Sequence, residues 1–240
     1  MQASLMITCL CDALYPNVGK AAVMVLERLG VQVDFPPGQT CCGQPAYNSG
    51  YQDDARKAAL ATIRAFEDSR AVISLSGSCA AMIRHSYPAL FQGTPHGQEA
   101  QALADKTYEF SEYLTGVLGV ESLPVTFKAR AVFHNSCHTL RNLGVTAPPQ
   151  KILSLVRGLQ LLELPGAQNC CGFGGTFAVK MPLISTEMAD EKAGHIISSG
   201  ADILVSLDMS CLMNIGGRLE RLQSTVRPLH IAELLGEGWE

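Results

Sequence analysis

Apolar positions in the first half of the chain alternate between two periods. Ser4 to Thr8 is short, apolar and partly β-branched, so it is predicted as a buried strand running into Cys9. From Val18 to Leu29 the residues Val18, Ala21, Ala22, Val25, Leu26 and Leu29 step by three and four, the stripe of an amphipathic helix. Gly30 stops it. Val31 to Phe35 predicts a second strand, which meets Pro36-Pro37-Gly38 and delivers the chain to a turn-rich loop at Cys41-Cys42-Gly43. Ala55, Ala58, Ala59, Thr62, Ile63 and Phe66 mark the next helix. Ala71 to Leu75 then forms a third strand running into Ser76-Gly77-Ser78-Cys79. Gln98 to Leu118 is predicted as one helix with Leu103, Thr107, Phe110, Leu114 and Val117 on one face.

After a Pro124-containing connection the scheme starts again. Arg130 to Phe133 is a strand leading to Cys137, Ile152 to Val156 is helical, and Leu159 to Leu164 is a strand before the turn at Pro165-Gly166. Cys170-Cys171-Gly172 follows, then a helix over Leu183 to Ile197 and a strand over Ala201 to Ser206 before Cys211. Leu212, Ile215, Leu219 and Leu222 carry a last helical stripe. Even the ends correspond, Phe110-Ser111-Glu112-Tyr113-Leu114 against Ile231-Ala232-Glu233-Leu234-Leu235. A period of about 130 residues is too long for a solenoid, so it predicts an internal duplication of a whole α/β half. The expected fold is α/β: two pseudo-twofold-related, Rossmann-like halves with parallel strands and flanking helices. They are placed at residues 1–120 and 121–240 and expected to form one unit.

Composition narrows the class. With 240 residues, 47% of them hydrophobic, the chain has material for a full core. A formal charge of −4 without a basic run lacks the footprint of a nucleic-acid binder. The N-terminus lacks the layout of a secretion signal, and no apolar run is long enough for a transmembrane segment, so a cytoplasmic location is expected. Nine cysteines in that setting point to metal or redox chemistry rather than a disulfide framework.

Eight of the nine fall into two matching sets, Cys9, Cys41, Cys42, Cys79 and Cys137, Cys170, Cys171, Cys211. Adjacent cysteines are poor disulfide partners, because a trans peptide holds their Cα atoms about 3.8 Å apart, below the usual disulfide range. Ligands of open α/β sheets sit outside the carboxyl ends of the strands, where all eight are predicted to lie. Several precede a helix start, where the positive end of the helix dipole favours thiolate. Thiolate-only sets of four fit structural zinc or an iron–sulfur cluster. Zinc sites usually use closely spaced cysteine pairs, so long gaps around an adjacent pair tilt towards iron. A dithiol–disulfide couple at Cys41-Cys42 or Cys170-Cys171 is the remaining alternative.

Other candidates receive plainer expectations. The ninth cysteine, Cys11, reads as a small core residue. His134 and His138 bracket Cys137 and are expected to pack or cap, with ligation, donation to sulfur or proton shuttling as alternatives. Lys180, Arg141 and Arg218 read as surface charges. No G-x-G-x-x-G follows a strand, which argues against a nucleotide site.

Thr8-Cys9-Leu10, Cys41-Cys42-Gly43-Gln44-Pro45-Ala46-Tyr47, Ser76-Gly77-Ser78-Cys79, Cys170-Cys171-Gly172-Phe173-Gly174-Gly175-Thr176 and Cys211-Leu212-Met213-Asn214 resemble the motifs of the CCG-domain, or cysteine-rich-domain, iron–sulfur proteins. That family includes the B subunit of heterodisulfide reductase, the iron–sulfur subunit of glycolate oxidase and stand-alone members serving lactate utilization. The resemblance implies an iron–sulfur electron-transfer subunit of an L-lactate oxidising complex, passing electrons from lactate, on its way to pyruvate, towards the respiratory chain. Glycolate or another 2-hydroxy acid is the alternative substrate. It implies one or two 4Fe-4S clusters on the eight cysteines, with zinc in one half of some relatives. The implied partners are a ferredoxin-type iron–sulfur subunit and a third small subunit, through which the protein would sit at the inner face of the membrane. The chain would be part of an oxidoreductase rather than a complete enzyme. The reductase members end their motif Cys-x-x-Cys; Ser76 and Asp208 stand at the first of those positions here, leaving four thiolates per half and a serine or aspartate oxygen as further candidate ligands.

Overall fold

The alternation of strand and helix is realised in the computed structural model, which describes residues 1–240. In the first half β1 (Gln2–Met6) leads to α1 (Cys9–Leu14) and α2 (Pro16–Arg28), and β2 (Gln32–Asp34) leads to α3 (Gln44–Asn48) and α4 (Gln52–Ala65). β3 (Val72–Ser74) leads to α5 (Gly77–Ala81), a π-helical turn at Met82–Ser86, α6 (Tyr87–Leu90) and α7 (Gly97–Asp105). β4 (Thr107–Glu109) and α8 (Phe110–Glu112) follow, with a second π-helical turn at Tyr113–Val117. The second half runs β5 (Thr126–His134), a π-helical turn at His138–Asn142, α9 (Ala147–Ser154), β6 (Arg157–Leu162), α10 (Phe177–Lys180) and α11 (Pro182–Ser198). It ends with β7 (Ile203–Ser206), α12 (Met209–Arg221), β8 (Arg227–His230) and α13 (Ile231–Glu237).

The strands form two four-stranded sheets of identical order, β2-β1-β3-β4 and β6-β5-β7-β8. Every strand pairing within them is parallel, and matching residues share a register: Leu5 faces Ile73 in one sheet and Phe133 faces Val205 in the other. Parallel sheets need helices on both faces, and β3 and β7 are accordingly buried at every position.

Local sequence explains the element ends. Pro16 and Pro182 open α2 and α11 at the first helical position, where no N–H is required. Gly30, at φ 80°, closes α2. Its N–H donates to Glu27 O at 2.9 Å and that of Val31 to Leu26 O at 3.0 Å, the paired bonds of a Schellman motif. Val31 and Leu26 are both buried in the same apolar cluster, so the stop signal also anchors the entry to β2, an edge strand of which only Val33 is partly buried.

One expectation is corrected. The helix predicted over Gln98 to Leu118 is not continuous: α7 ends at Asp105, Thr107–Glu109 pairs in parallel with β3, and the helix restarts at Phe110. A three-residue strand between helices leaves the three-and-four spacing nearly intact, so periodicity hides it. What restarts the helix is Glu109, whose side chain accepts from the N–H groups of Ser111 at 2.9 Å and Glu112 at 3.2 Å while Glu112 answers back, a capping box. β8 is the matching strand in the second half, again unpredicted, and His230 caps α13 as Glu109 caps α8.

The core joins the halves. Leu5, Val25 and Leu26 belong to one cluster with Val132, Leu204 and Leu234, while Cys42, Ala59, Phe66, Tyr87 and Phe91 form a smaller one in the first half. α13 lies on α2, and α8 with its π-helical turn lies on α9. Each half therefore lends its last helix to the other, the reciprocity that two similar units related by a twofold produce.

Candidate metal centre

All eight paired cysteines line one cleft between the halves, together with Ser76, Ser136, Asp208, Gly174 and Gly175. The topology gathers them. β1 and β3 each end in a segment that turns into a helix, so Cys9 opens α1 and Cys79 sits in the first turn of α5. Cys41 and Cys42 stand just before α3. In the second half Cys137 follows β5, Cys170 and Cys171 follow β6, and Cys211 lies in the first turn of α12. Cys9 is exposed and Cys11 buried among apolar neighbours of α1, where desolvation pushes its thiol up to about 12.

Within each set one pair of sulfurs is in direct contact. Cys42 Sγ lies 3.3 Å from Cys79 Sγ, and Cys171 Sγ lies 3.1 Å from Cys211 Sγ, contacts between separate thiols rather than disulfide bonds. Hydrogen bonds from the Cys42 and Cys9 thiols hold Cys41 far below the ordinary thiol range, and Cys137 and Cys171 do the same for Cys170. Sharing with Cys41 pushes Cys9 and Cys42 up. Cys137 and Cys171 are raised likewise by Cys170. Four such sulfurs ionise together only beside a cation, so the donor set fits a soft, thiophilic metal or metal–sulfur group.

The Cys-Cys-Gly turns are built around their glycines. Gly43 and Gly172 hold φ of 83° and 85°, and a Cβ at Gly172 would approach Ser185 O to 2.7 Å. Only glycine meets both demands. In that conformation the Gly43 N–H points at Cys41 Sγ at 3.5 Å and the Gly172 N–H at Cys170 Sγ at 3.4 Å. The two turns are pinned by unrelated residues. Tyr87 Oη donates to Cys42 O and Asn214 Nδ2 to Cys171 O, each at 2.8 Å. Sequence reasoning missed both anchors, because the residues differ in type and stand at different distances from the last cysteine of each set.

Ser76 and Asp208, raised as oxygen ligands, turn towards each other. The fully buried Asp208 carboxylate accepts from the hydroxyls of Ser76, Ser78 (2.9 Å), Ser136 and Thr139 (3.2 Å), and from the Ser78 N–H at 3.3 Å. The carboxylate is thus enclosed by donors from both halves. Beside it the halves touch so closely that a Cβ on Gly77 would overlap the Thr139 side chain. The two cysteine-rich loops meet as well, Ser49 Oγ lying 2.7 Å from Thr176 Oγ1.

The surface charges find structural partners. Arg218 pairs with Asp190, Arg141 donates to Gln168 O, and Lys180 lies over the Tyr51 ring. Lys192 was not foreseen; it is 1% exposed, donates to Gly166 O, and desolvation lowers its pKa against the raising influence of Cys171. Its position on α11 matches Thr62 on α4, since Gly172 rests on Ser185 and Met188 as Gly43 rests on Ala55 and Ala58.

The family model described as CCG, a cysteine-rich domain, matches residues 4–84 and again residues 131–216. The chain is 55% identical over 236 residues to "Lactate utilization protein A" of Bacillus subtilis (strain 168), covering 98% of this chain and 99% of that protein. It is 52% identical over 239 residues to "Lactate utilization protein A 2" of Bacillus cereus (strain Q1), covering 99% of each. Among solved structures it is similar to an aspartate racemase homologue from Pyrococcus horikoshii OT3 at a TM-score of 0.39 and 6% identity, over 99% of this chain and 96% of that one, too distant to bear on function. With the same cysteine-rich signature met once in each sheet-bearing half, and with relatives more than half identical from end to end, the chain belongs to the CCG cysteine-rich domain family and carries that domain twice.

Proposed function

We propose that this chain is an iron–sulfur electron-transfer subunit of a lactate-utilization system, each repeat, 1–120 and 121–240, contributing one thiolate set. The observation that carries the reading is the convergence of eight cysteines from distant segments on one cleft. A bound iron–sulfur cluster would supply reversible one-electron transfer. The chain's own residues do the rest. Cys9, Cys41, Cys42 and Cys79 would hold one group and Cys137, Cys170, Cys171 and Cys211 the other, while the Gly43 and Gly172 N–H groups stabilise sulfur charge and favour the reduced state. Asp208 keeps the hydroxyls of Ser76, Ser78 and Ser136, which line the same cleft, engaged in hydrogen bonds.

Lactate enters through the names of the relatives, which also support work within a multi-subunit system. A ferredoxin-type iron–sulfur subunit and a third small subunit are the proposed partners. No helix is long and apolar enough to cross a membrane, and we propose a cytoplasmic location with any membrane contact made through partners.

The test is metal and acid-labile sulfide analysis of anaerobically purified full-length protein, with electron paramagnetic resonance after reduction. Iron and sulfide in cluster proportion are expected, with the paramagnetic signal of the first set lost on Cys42→Ser and that of the second on Cys171→Ser. Protein carrying stoichiometric zinc and no sulfide, or folded protein binding no metal at all, overturns the electron-transfer reading.

A further inference from the structure

We infer that His134 is a direct ligand of the metal group held by the second cysteine set, so that the two sites carry different donors. The inference rests on the reading that the cysteine sets bind metal. His134 closes β5 opposite Ser206, the place Met6 holds opposite Ser74 in the first sheet. A duplicated chain thus has a thioether at one site and an imidazole at the other. The His134 ring is 1% exposed and neither Nδ1 nor Nε2 makes a well-formed hydrogen bond, the Cys211 thiol lying beside the ring without reaching bonding geometry. Leaving both nitrogens of a buried imidazole unpaired is costly, and such orphans call for an ion or another missing partner.

The ring is aimed at sulfur. One of its nitrogens, Cys171 Sγ and Cys211 Sγ all lie within 4.8 Å of one another, and no other three potential ligand residues in the chain meet that criterion. Metal–sulfur bonds near 2.3 Å and metal–imidazole bonds near 2.0 Å put neighbouring tetrahedral ligand atoms roughly 3.5 Å apart, so a modest adjustment of side chains lets the bound metal group reach all three. Imidazole and thiolate are also compatible donors for the same borderline-soft metals. The site has a matching device at its back: Lys192 takes the place of Thr62 and sets a buried ammonium near the second thiolate set alone. Neutral imidazole adds a ligand without adding to the anionic charge that Lys192 must offset.

The test uses the full chain labelled with 15N-histidine, stripped of metal anaerobically and loaded with 113Cd, a spectroscopic stand-in for thiophilic metals. Two cadmium resonances are expected, one split by a 113Cd–15N coupling. The splitting persists in His138→Gln and is lost in His134→Gln with the second resonance shifted. Where His134→Gln fails to fold, the His138→Gln spectrum still decides between the two histidines that flank Cys137. Two unsplit resonances, or a splitting that follows His138, overturn His134 ligation while leaving metal binding standing. Absence of any bound cadmium overturns the metal reading, and this inference with it.

Discussion

Glycine to alanine inside a helix ordinarily stabilises, and Gly77 is where this protein should reverse the sign. Gly77 opens α5 with an ordinary helical backbone, so alanine would bring at most the gain of about 0.5–1 kcal/mol seen in helix interiors. The new Cβ, however, would lie 2.7 Å from Thr139 Cβ and 2.9 Å from Thr139 Cγ2 and would overlap its Oγ1. Both elements sit on buried β-strand ends and cannot swing away, so overpacking costs about 1–3 kcal/mol. Moving Thr139 also breaks its hydrogen bond to the buried Asp208 carboxylate, worth roughly 1.5–3 kcal/mol for a bond to a charged group. The net expectation for Gly77→Ala is a loss of about 3 kcal/mol. Urea unfolding of the reduced, metal-free chain measures it, with Gly194→Ala in α11, whose Cβ meets nothing within 4 Å, as the stabilising control. With Thr139→Ala as background the penalty should shrink, because two of the three overlapping atoms are gone. A Gly77→Ala protein as stable as wild type, or an equal penalty in both backgrounds, would refute the close packing of the halves at the site.

Glu109 predicts a pH dependence. Burial raises its pKa from 4.5 to about 7. The folded state therefore holds a proton that the unfolded chain releases, and stability falls as pH rises from about 4.5 to 7. The loss amounts to about 3 kcal/mol. Glu109→Gln, which keeps an acceptor for Ser111 and Glu112, should flatten the curve, and chemical denaturation across that range reads it out. Cys11→Ala should retain the metal content of wild type at a cost of about 1–2 kcal/mol, whereas Cys79→Ala should lose the metal of the first set alone; elemental analysis separates the two. Tyr87→Phe leaves Cys42 O unpaired in the interior and should cost about 1–3 kcal/mol in urea unfolding. Asn214→Ala does the same to Cys171 O, and each should hasten metal release from its own set.

The eight cysteines and the duplicated α/β scheme were legible in the sequence because periodicity and spacing are written along the chain. Residue type alone marked Gly30 as a helix stop. β4 and β8 were not legible: three or four residues between helices carry too little pattern, and their pairing partners lie far away in sequence. The same limit hid Tyr87, Asn214 and Lys192, whose roles depend on what faces them and not on their neighbours in the chain. Ser76 and Asp208 looked like spare ligands in one dimension and in three dimensions are bonded to each other. Sequence by itself thus determined which cysteines recur in matching positions and that the cysteine-rich α/β scheme occurs twice. Tertiary structure alone decided that both sets open on one cleft, that Asp208 is enclosed between the halves, and that His134 rather than His138 is the buried, unpartnered ring, because burial and hydrogen-bond satisfaction belong to surroundings assembled from distant segments.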